Sequence, residues 1–324
     1  MSVLFTSDHS LERAENLRAI YEHYPHEKHF AKDSNRMACA ERAGYKVVVC
    51  DTLPKYIDGK DRCKCVVIGH GITGDKKYAL DEQRTGIDKR AFPQIDYLVN
   101  ASDGTAQIAA SQFGIPLEKV VNLGMPRTDA YVGKSKGDGG TFLAKYRRAY
   151  LYAPTFRGPF DGDRLPRIDW AKLNDMLEDD ELIAVKRHYY TGNTIVGQNL
   201  PKVGELSPME ASAPYLMDCD VLLTDYSSIL FDAYLLGKPS VLTVDDMDAY
   251  MAKRGMYLDY PAQYSSRWLK AEGNEEQLLA HLRAACVTGM RNIERKCVEL
   301  VADKCDGNSC ERIAELIWRL VCES

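Results

Sequence analysis

The sequence predicts a two-domain α/β fold built on mostly parallel sheets, and three observations carry that expectation. Short apolar runs alternate with stretches of helical periodicity along most of the chain, which is the pattern of strands joined by crossover helices. The chain has 324 residues, longer than one hydrophobic core usually serves. A segment rich in glycine and charge, Gly133-Lys134-Ser135-Lys136-Gly137-Asp138-Gly139-Gly140, interrupts the alternation and cannot form a packed face, so it marks a domain boundary or hinge.

In chain order, VLFT (3–6) reads as a strand, and Leu17, Ile20, Tyr21 and Tyr24 follow on one helical face. Further strands are expected at YKVVVC (45–50), CVVI (65–68) and YLVN (97–100), with a helix from about Thr105 to Phe113. Beyond the break the rhythm restarts: strand RAYLYA, a helix from about Asp169, strand LIAVK, a helix near Met209 to Met217, strand VLLT, a helix over 228–236 and strand SVLTV. From Glu275 the chain reads as helices, with Ile313, Leu316, Ile317 and Leu320 on one stripe. The expected domains are therefore 1–140 and 141–324, the last helix either closing the second domain or crossing back.

A net charge of −5, with 45% hydrophobic and 27% charged residues, describes a globular chain whose main partner is neither a nucleic-acid backbone nor an anionic membrane. Phosphate binding must then be local. No apolar run approaches the roughly 18 residues of a membrane span. The opening MSVLFTSDHSLERAENL lacks the basic-then-apolar order of an export signal, so a cytoplasmic protein is expected. The ten cysteines are scattered, and several lie in apolar stretches where a thiol serves as a small core side chain. Cys63/Cys65 and Cys305/Cys310 lack the paired CxxC spacing of a zinc site.

In open parallel sheets, ligands collect outside the carboxyl ends of strands, where the next helix presents unpaired amides. Polar clusters directly after apolar runs are therefore the candidates. Asp225, Tyr226, Ser227 and Ser228 lie between the strand VLLT and an apolar helix. The two serines could cap that helix or, with its amides, bind phosphate oxygens; Asp225 could hold a ribose hydroxyl, a lysine or the turn. Tyr152-Ala153-Pro154-Thr155-Phe156-Arg157 follows another strand and offers an anion a hydroxyl and a guanidinium, although an arginine there is often surface decoration. Lys186-Arg187-His188-Tyr189 follows a third strand, with three cationic or donor groups.

In the first half, Gly69-His70-Gly71 sets a histidine between glycines at a strand end, where backbone can approach a ligand and an imidazole can serve as a base near neutral pH. An isolated loop histidine is more often passive. Gly124-Met125-Pro126-Arg127-Thr128-Asp129 is a turn in which Arg127 either pairs with Asp129 or reaches a cleft. Asp245, Asp246 and Asp248 could hold a divalent cation, although such clusters are usually solvated turns.

Together and in order, these clusters resemble the CDP-glycerol glycerophosphotransferase family, the primases and polymerases of teichoic acid and related capsule synthesis. Gly69-His70-Gly71 occupies its HG motif, Gly124 to Asp129 its G-x-P-R-x-D, and Tyr152 to Arg157 its YAPT(W/F)R. Leu223 to Ser228, continuing to Phe231-Asp232 and Lys238-Pro239, matches its most distinctive block, and Arg254 to Tyr260 resembles the RG-x-Y-x-DY that follows. The opening FTS with Glu15-Asn16 and Ala19-Ile20-Tyr21-Glu22 looks like its first strand and helix. Two departures stand out: Ile72-Thr73-Gly74-Asp75 where the family continues Thr-Pro-Leu-Lys, and Tyr189 where a proline follows R-x-H.

The resemblance implies a GT-B architecture, with two Rossmann-like domains facing across a cleft, the first for the acceptor and the second for the nucleotide donor. It implies transfer of a polyol phosphate, in the first instance glycerol phosphate, from CDP-glycerol or CDP-ribitol to a hydroxyl of a glycan or lipid-linked acceptor, releasing CMP. His70 would accept or orient the hydroxyl proton. His188, Arg157, Ser227 and Ser228 would hold the diphosphate, with Thr155 and Asp225 beside them and Gly71 and Arg127 as acceptor or cleft contacts. No cofactor is firmly implied, a divalent cation stays open, and no nucleic acid is involved. The location would be cytoplasmic, or peripheral at the inner face of the plasma membrane. The same architecture serves sugar-nucleotide glycosyltransferases and epimerases, and a donor-binding subunit without catalysis is a third expectation.

Overall fold

A computed structural model of the chain describes residues 3–32, 44–51, 63–69, 71–72, 76–77, 89–155, 165, 167–188, 196 and 200–323. The chain divides into two compact units, residues 1–132 with 299–324, and residues 133–298. Among the described residues each unit holds one six-stranded sheet.

The first sheet contains β1 (Val3–Ser7), β2 (Lys28–Lys32), β3 (Val47–Cys50), β4 (Lys64–Val67), β5 (Tyr97–Asn100) and β6 (Val120–Asn122), in the order β2-β1-β3-β4-β5-β6. The second contains β7 (Arg148–Tyr152), β8 (Glu181–Val185), β9 (Val203–Glu205), β10 (Val221–Thr224), β11 (Ser240–Thr243) and β12 (Trp268–Leu269), in the order β12-β11-β10-β7-β8-β9. Every described ladder is parallel.

A parallel sheet is covered by helices on both faces, which is why its inner strands read as continuous apolar runs. In the first sheet Val3, Phe5, Val47, Val49, Val66 and Ile68 face one core with Leu17, Ile20, Ile313 and Ile317, while Leu4, Val48, Cys65 and Val67 face another with Ala109, Ala110 and Phe113. In the second, Tyr150, Tyr152, Ile183, Val185, Val221 and Leu223 share a core with Leu173, Leu278 and Leu282.

The eight strands expected from apolar runs are the inner ones. The four that the sequence did not signal, β2, β6, β9 and β12, are the edges of the two sheets. An edge strand has one neighbour and a half-solvated environment, so it need not be apolar. β2 is the polar KHFAK with no fully buried residue, and β6, β9 and β12 run for only three, three and two residues.

The helix expected from Asp169 is Trp170–Met176, with the Asp169 carboxylate accepting the Lys172 N–H at 3.0 Å as a cap. The helix expected near Met209 begins later, at Ala213. The units part at 132/133 rather than at 140/141, because the glycine-rich segment is fastened to the second unit. The Asp218 carboxylate accepts the backbone N–H groups of Gly137, Gly139 and Thr141 at 2.8, 3.0 and 2.7 Å. Residues 299–324 belong with the first unit. There the Asp129 carboxylate accepts the Ser309 and Cys310 N–H groups, at 3.0 and 2.7 Å, at the start of the helix Ser309–Glu323.

Among the described residues no cysteine is paired in a disulfide. Cys63 and Cys65, which bracket Lys64, both sit in the core.

Candidate functional site

In the second unit β10, β7 and β8 are neighbours, with Leu223 opposite Tyr152 and Tyr152 opposite Val185. All three run the same way. The clusters that follow them, 225–228, 153–155 and 186–188, therefore leave the sheet along one edge, where parallel sheets carry their ligands. Cross-links fix this rim: the Thr224 hydroxyl donates to the Ala153 carbonyl at 2.6 Å, the Thr155 N–H to Asp225 Oδ1 at 2.7 Å, and the Lys186 N–H to the Tyr152 carbonyl at 2.8 Å.

Asp225 is 1% exposed, and its bond to the Thr155 N–H ties the turn after β10 to the loop after β7. Its own carbonyl accepts the Tyr260 hydroxyl at 3.2 Å. The adjacent Tyr226 stacks on Tyr250, ring centroids 3.8 Å apart, and donates its hydroxyl to Asp246 at 2.9 Å. Asp245 accepts the N–H groups of Ala271 and Glu272 at 3.1 and 2.8 Å. Two members of the acidic cluster thus bind protein groups, and no set of three or more His, Cys, Asp or Glu among the described residues is grouped to hold a metal ion.

Ser227 and Ser228 are half-buried at the start of the helix Ile229–Leu235. Ser228 occupies the N-cap position but makes no side-chain capping bond. Its backbone, at φ −67° and ψ −10°, is helical rather than extended, and the extended conformation is what turns a cap hydroxyl back onto the first amides.

The third cluster differs from a set of three cationic donors. Lys186 is 6% exposed and its ammonium donates to the Pro208 carbonyl at 3.1 Å. Arg187 is paired with Glu205 of β9. His188 is half-buried, and burial, aided by the Lys186 charge, pushes its pKa down to about 4. It is a neutral imidazole at pH 7, able to donate through one nitrogen and accept through the other. Thr155 is half-buried on the same rim. Arg157 lies outside the described residues, as does His70.

In the first unit, Gly69 and Gly71 follow β4 and are both half-buried. The Asn16 side chain, 2% exposed, donates to the Gly69 carbonyl at 3.2 Å and accepts the Arg127 N–H at 3.1 Å. Arg127 is half-buried and lines a groove of about 560 Å³ with Glu22, His23 and Glu311. Asp129 is engaged by the Ser309 and Cys310 amides rather than by Arg127. Asn16 belongs to none of the polar clusters that directly follow an apolar strand. The signal lay in its position: it falls four residues before Ile20 on the buried face of the helix Glu15–His23, where an amide must find partners.

The profile of the family described as CDP-glycerol:poly(glycerophosphate) glycerophosphotransferase matches residues 18–319. The teichoic acid glycerol-phosphate primase of Bacillus subtilis is 30% identical over 229 residues, covering 66% of this chain and 60% of that protein. The teichoic acid glycerol-phosphate transferase of Staphylococcus aureus is 26% identical over 249 residues, covering 71% of this chain and 62% of that protein. Each match spans less than two thirds of the relative's length. A solved histidine-to-alanine variant of the wall teichoic acid polymerase TagF superposes with a TM-score of 0.80 at 19% identity, over 99% of this chain and 89% of that one. The S. aureus MnaA-UDP co-structure superposes with a TM-score of 0.63 at 13% identity, over 98% and 96%. At these identities the likeness is one of fold, and it is of the GT-B kind.

Proposed function

Because this chain belongs to the CDP-glycerol:poly(glycerophosphate) glycerophosphotransferase family, we propose that it transfers a polyol phosphate from a CDP-linked donor to an acceptor hydroxyl in teichoic acid or related cell-wall polymer synthesis. The observation that carries the reading is the rim of the second unit. Three of the sequence-level clusters meet there at the carboxyl ends of β10, β7 and β8, and hydrogen bonds lock two of them together.

In this reading the donor diphosphate lies on the rim, against the hydroxyls of Ser227, Ser228 and Thr155, the imidazole of His188 and the guanidinium of Arg157. A neutral His188 donates a hydrogen bond to a phosphate oxygen and gains a proton as that charge approaches. Asp225 keeps the rim in shape. The acceptor oxygen bonds to the phosphorus that carries the polyol, the bond from that phosphorus to the bridging oxygen breaks, and its electron pair leaves on CMP. His70 takes the hydroxyl proton. Positioning and charge neutralisation supply most of the acceleration in such transfers. The first unit receives the acceptor, a glycan or lipid-linked polymer end met at the inner face of the plasma membrane, with Gly71 and Arg127 among its contacts. No described helix is long and apolar enough to cross a membrane.

The test is nucleotide release from CDP-glycerol, CDP-ribitol and UDP sugars in the presence of polymer acceptors. CMP from a CDP-polyol is the expected product. UDP from a UDP sugar would assign the chain to glycosyl transfer, epimerisation of the sugar without nucleotide release to the epimerases, and tight CDP-glycerol binding without turnover to a binding subunit.

A further inference from the structure

We infer that the groove of the first unit is a saccharide subsite that receives an uncharged sugar of the acceptor rather than a phosphate backbone, an inference that rests on the proposed transfer to an acceptor held by that unit. The groove has a volume of about 560 Å³, within the range of about 300–1,000 Å³ of small-molecule sites. Its polar lining is Glu22, His23, Arg127, Asn308 and Glu311. All but Arg127 are exposed. Among the described residues no hydrogen bond or ion pair engages the side chains of Glu22, His23, Asn308 or Glu311.

This lining suits hydroxyls and opposes phosphate. Glu22 and Glu311 set two carboxylates against the guanidinium of Arg127, and a third acid, Asp129, is held by the Ser309 and Cys310 amides. A phosphodiester chain would meet more negative than positive charge there, the like-charge opposition that turns away a wrong partner. A sugar ring carries no charge, and each of its hydroxyls both donates and accepts. Carboxylates accept from such hydroxyls, while guanidinium and amide N–H groups donate to them. Ala19, Pro126 and Ala130 also line the groove and offer the C–H face of a ring a short, apolar wall. An apolar surface with a few convergent polar groups is what small-molecule sites share.

The groove also lies where an acceptor would need it. Asn16, in the first turn of the helix Glu15–His23, is bonded both to the Gly69 carbonyl after β4 and to the Arg127 N–H. One end of the groove therefore adjoins the carboxyl edge of the sheet, where parallel sheets carry ligands. Glu22 and His23 stand in the last turn of the same helix, about 9 Å farther along at a rise of about 1.5 Å per residue. The groove thus runs away from the edge and can hold the sugar behind a hydroxyl that reacts there.

The experiment compares the wild-type chain with Glu22→Ala, Glu311→Ala and the double variant. CDP-glycerol is the donor, and the acceptors are a panel of octyl-linked neutral disaccharides and an oligo(glycerol phosphate). Acceptor KM and kcat are read from CMP release, and donor Kd from calorimetry. Both glutamates are exposed, so the variants should keep the wild-type thermal midpoint. The wild-type chain should release CMP with at least one disaccharide. Each single variant should raise the KM for that disaccharide about tenfold, the worth of one hydrogen bond to a charged group, with kcat and donor Kd changed less than about twofold on the same argument. The KM for oligo(glycerol phosphate) should not rise. An unchanged disaccharide KM in the double variant, an equal rise for both acceptors, a donor Kd that weakens in step, or a wild-type chain that uses only oligo(glycerol phosphate) overturns the saccharide subsite and leaves the transfer reading standing. A wild-type chain that releases no CMP with any acceptor overturns the transfer reading and the inference with it.

Discussion

The carboxylate of Asp225 accepts the backbone N–H of Thr155 at 2.7 Å, joining the loop after β10 to the loop after β7. An acidic residue at the proposed phosphate site would repel the ligand if its charge faced it. Here its charge is directed into the protein, 1% exposed, and it shapes the rim from beneath. Asp225→Ala should therefore lower CDP-glycerol affinity by about tenfold, one hydrogen bond's worth of preorganisation. Asp225→Asn, which retains an acceptor oxygen, should lose less. Calorimetry on the two variants measures the difference, and equal losses would point to the charge itself.

His188 should titrate far below an ordinary histidine. Its folded pKa of about 4 lies below the unfolded value of about 6.5, so between these values the unfolded chain binds the proton more readily. The stability that His188 contributes is then fully present above about pH 6.5 and is lost as pH falls toward 4. Proton NMR of the imidazole in the free protein should place the midpoint near 4. Saturating CDP-glycerol should raise it, because a diphosphate favours the imidazolium. A midpoint that donor does not move would remove His188 from the diphosphate site, and His188→Ala should weaken donor binding in the same assay.

Ser228→Ala separates two roles that the sequence left open. A serine whose hydroxyl caps a helix costs about 1 kcal/mol when replaced by alanine. Ser228 makes no such bond, so its loss should change the denaturation midpoint by less than about 0.5 kcal/mol while weakening CDP-glycerol binding. Intact affinity together with lost stability would restore the capping role.

Glu181 gives the second unit a stability element at the other end of β8. It is fully buried and accepts hydrogen bonds from Arg283 at 2.6 Å, Arg148 at 2.8 Å, the Glu178 N–H at 3.0 Å and the Tyr150 hydroxyl at 3.1 Å. Burial works against its charge, but the bonds from Arg283, Glu178 and Arg148 outweigh it and hold the pKa down to about 2. The stability it confers is present above the ordinary carboxyl value and is lost as pH falls through about 2. Glu181→Gln removes the carboxylate that Arg148 and Arg283 share and leaves them only Glu178, at 4.0 and 3.8 Å, so it should destabilise the fold by about 2 kcal/mol, read from urea denaturation at neutral pH. Donor affinity should stay unchanged, since Glu181 opens β8 and His188 lies beyond its far end.

Much was legible in the sequence because burial writes itself into side-chain type. The eight inner strands, covered on both faces, are apolar runs that any window detects, and the stripe Ile313, Leu316, Ile317 and Leu320 signals a helix with one buried face. The candidate site was legible as a set of polar clusters after strands, together with a run of motifs shared with a family.

What the sequence could not contain is which strand lies beside which. The adjacency of β10, β7 and β8 follows from crossovers that reorder the chain, so three clusters far apart in sequence become one rim only in the folded sheet. The edge strands escaped because a half-solvated strand needs no apolar pattern. Charge was decided in the same way: Arg187 is matched by Glu205 on an edge strand, and burial makes His188 neutral, although the sequence shows only three basic residue types in a row. The sequence by itself determined the α/β class, the inner strands and the residue types offered to a phosphate, because these depend on local pattern. Tertiary structure alone decided that Asp225 ties a loop, that Ser228 caps nothing and that Asn16 joins two loops, because hydrogen-bond partners and burial are properties of neighbours in space.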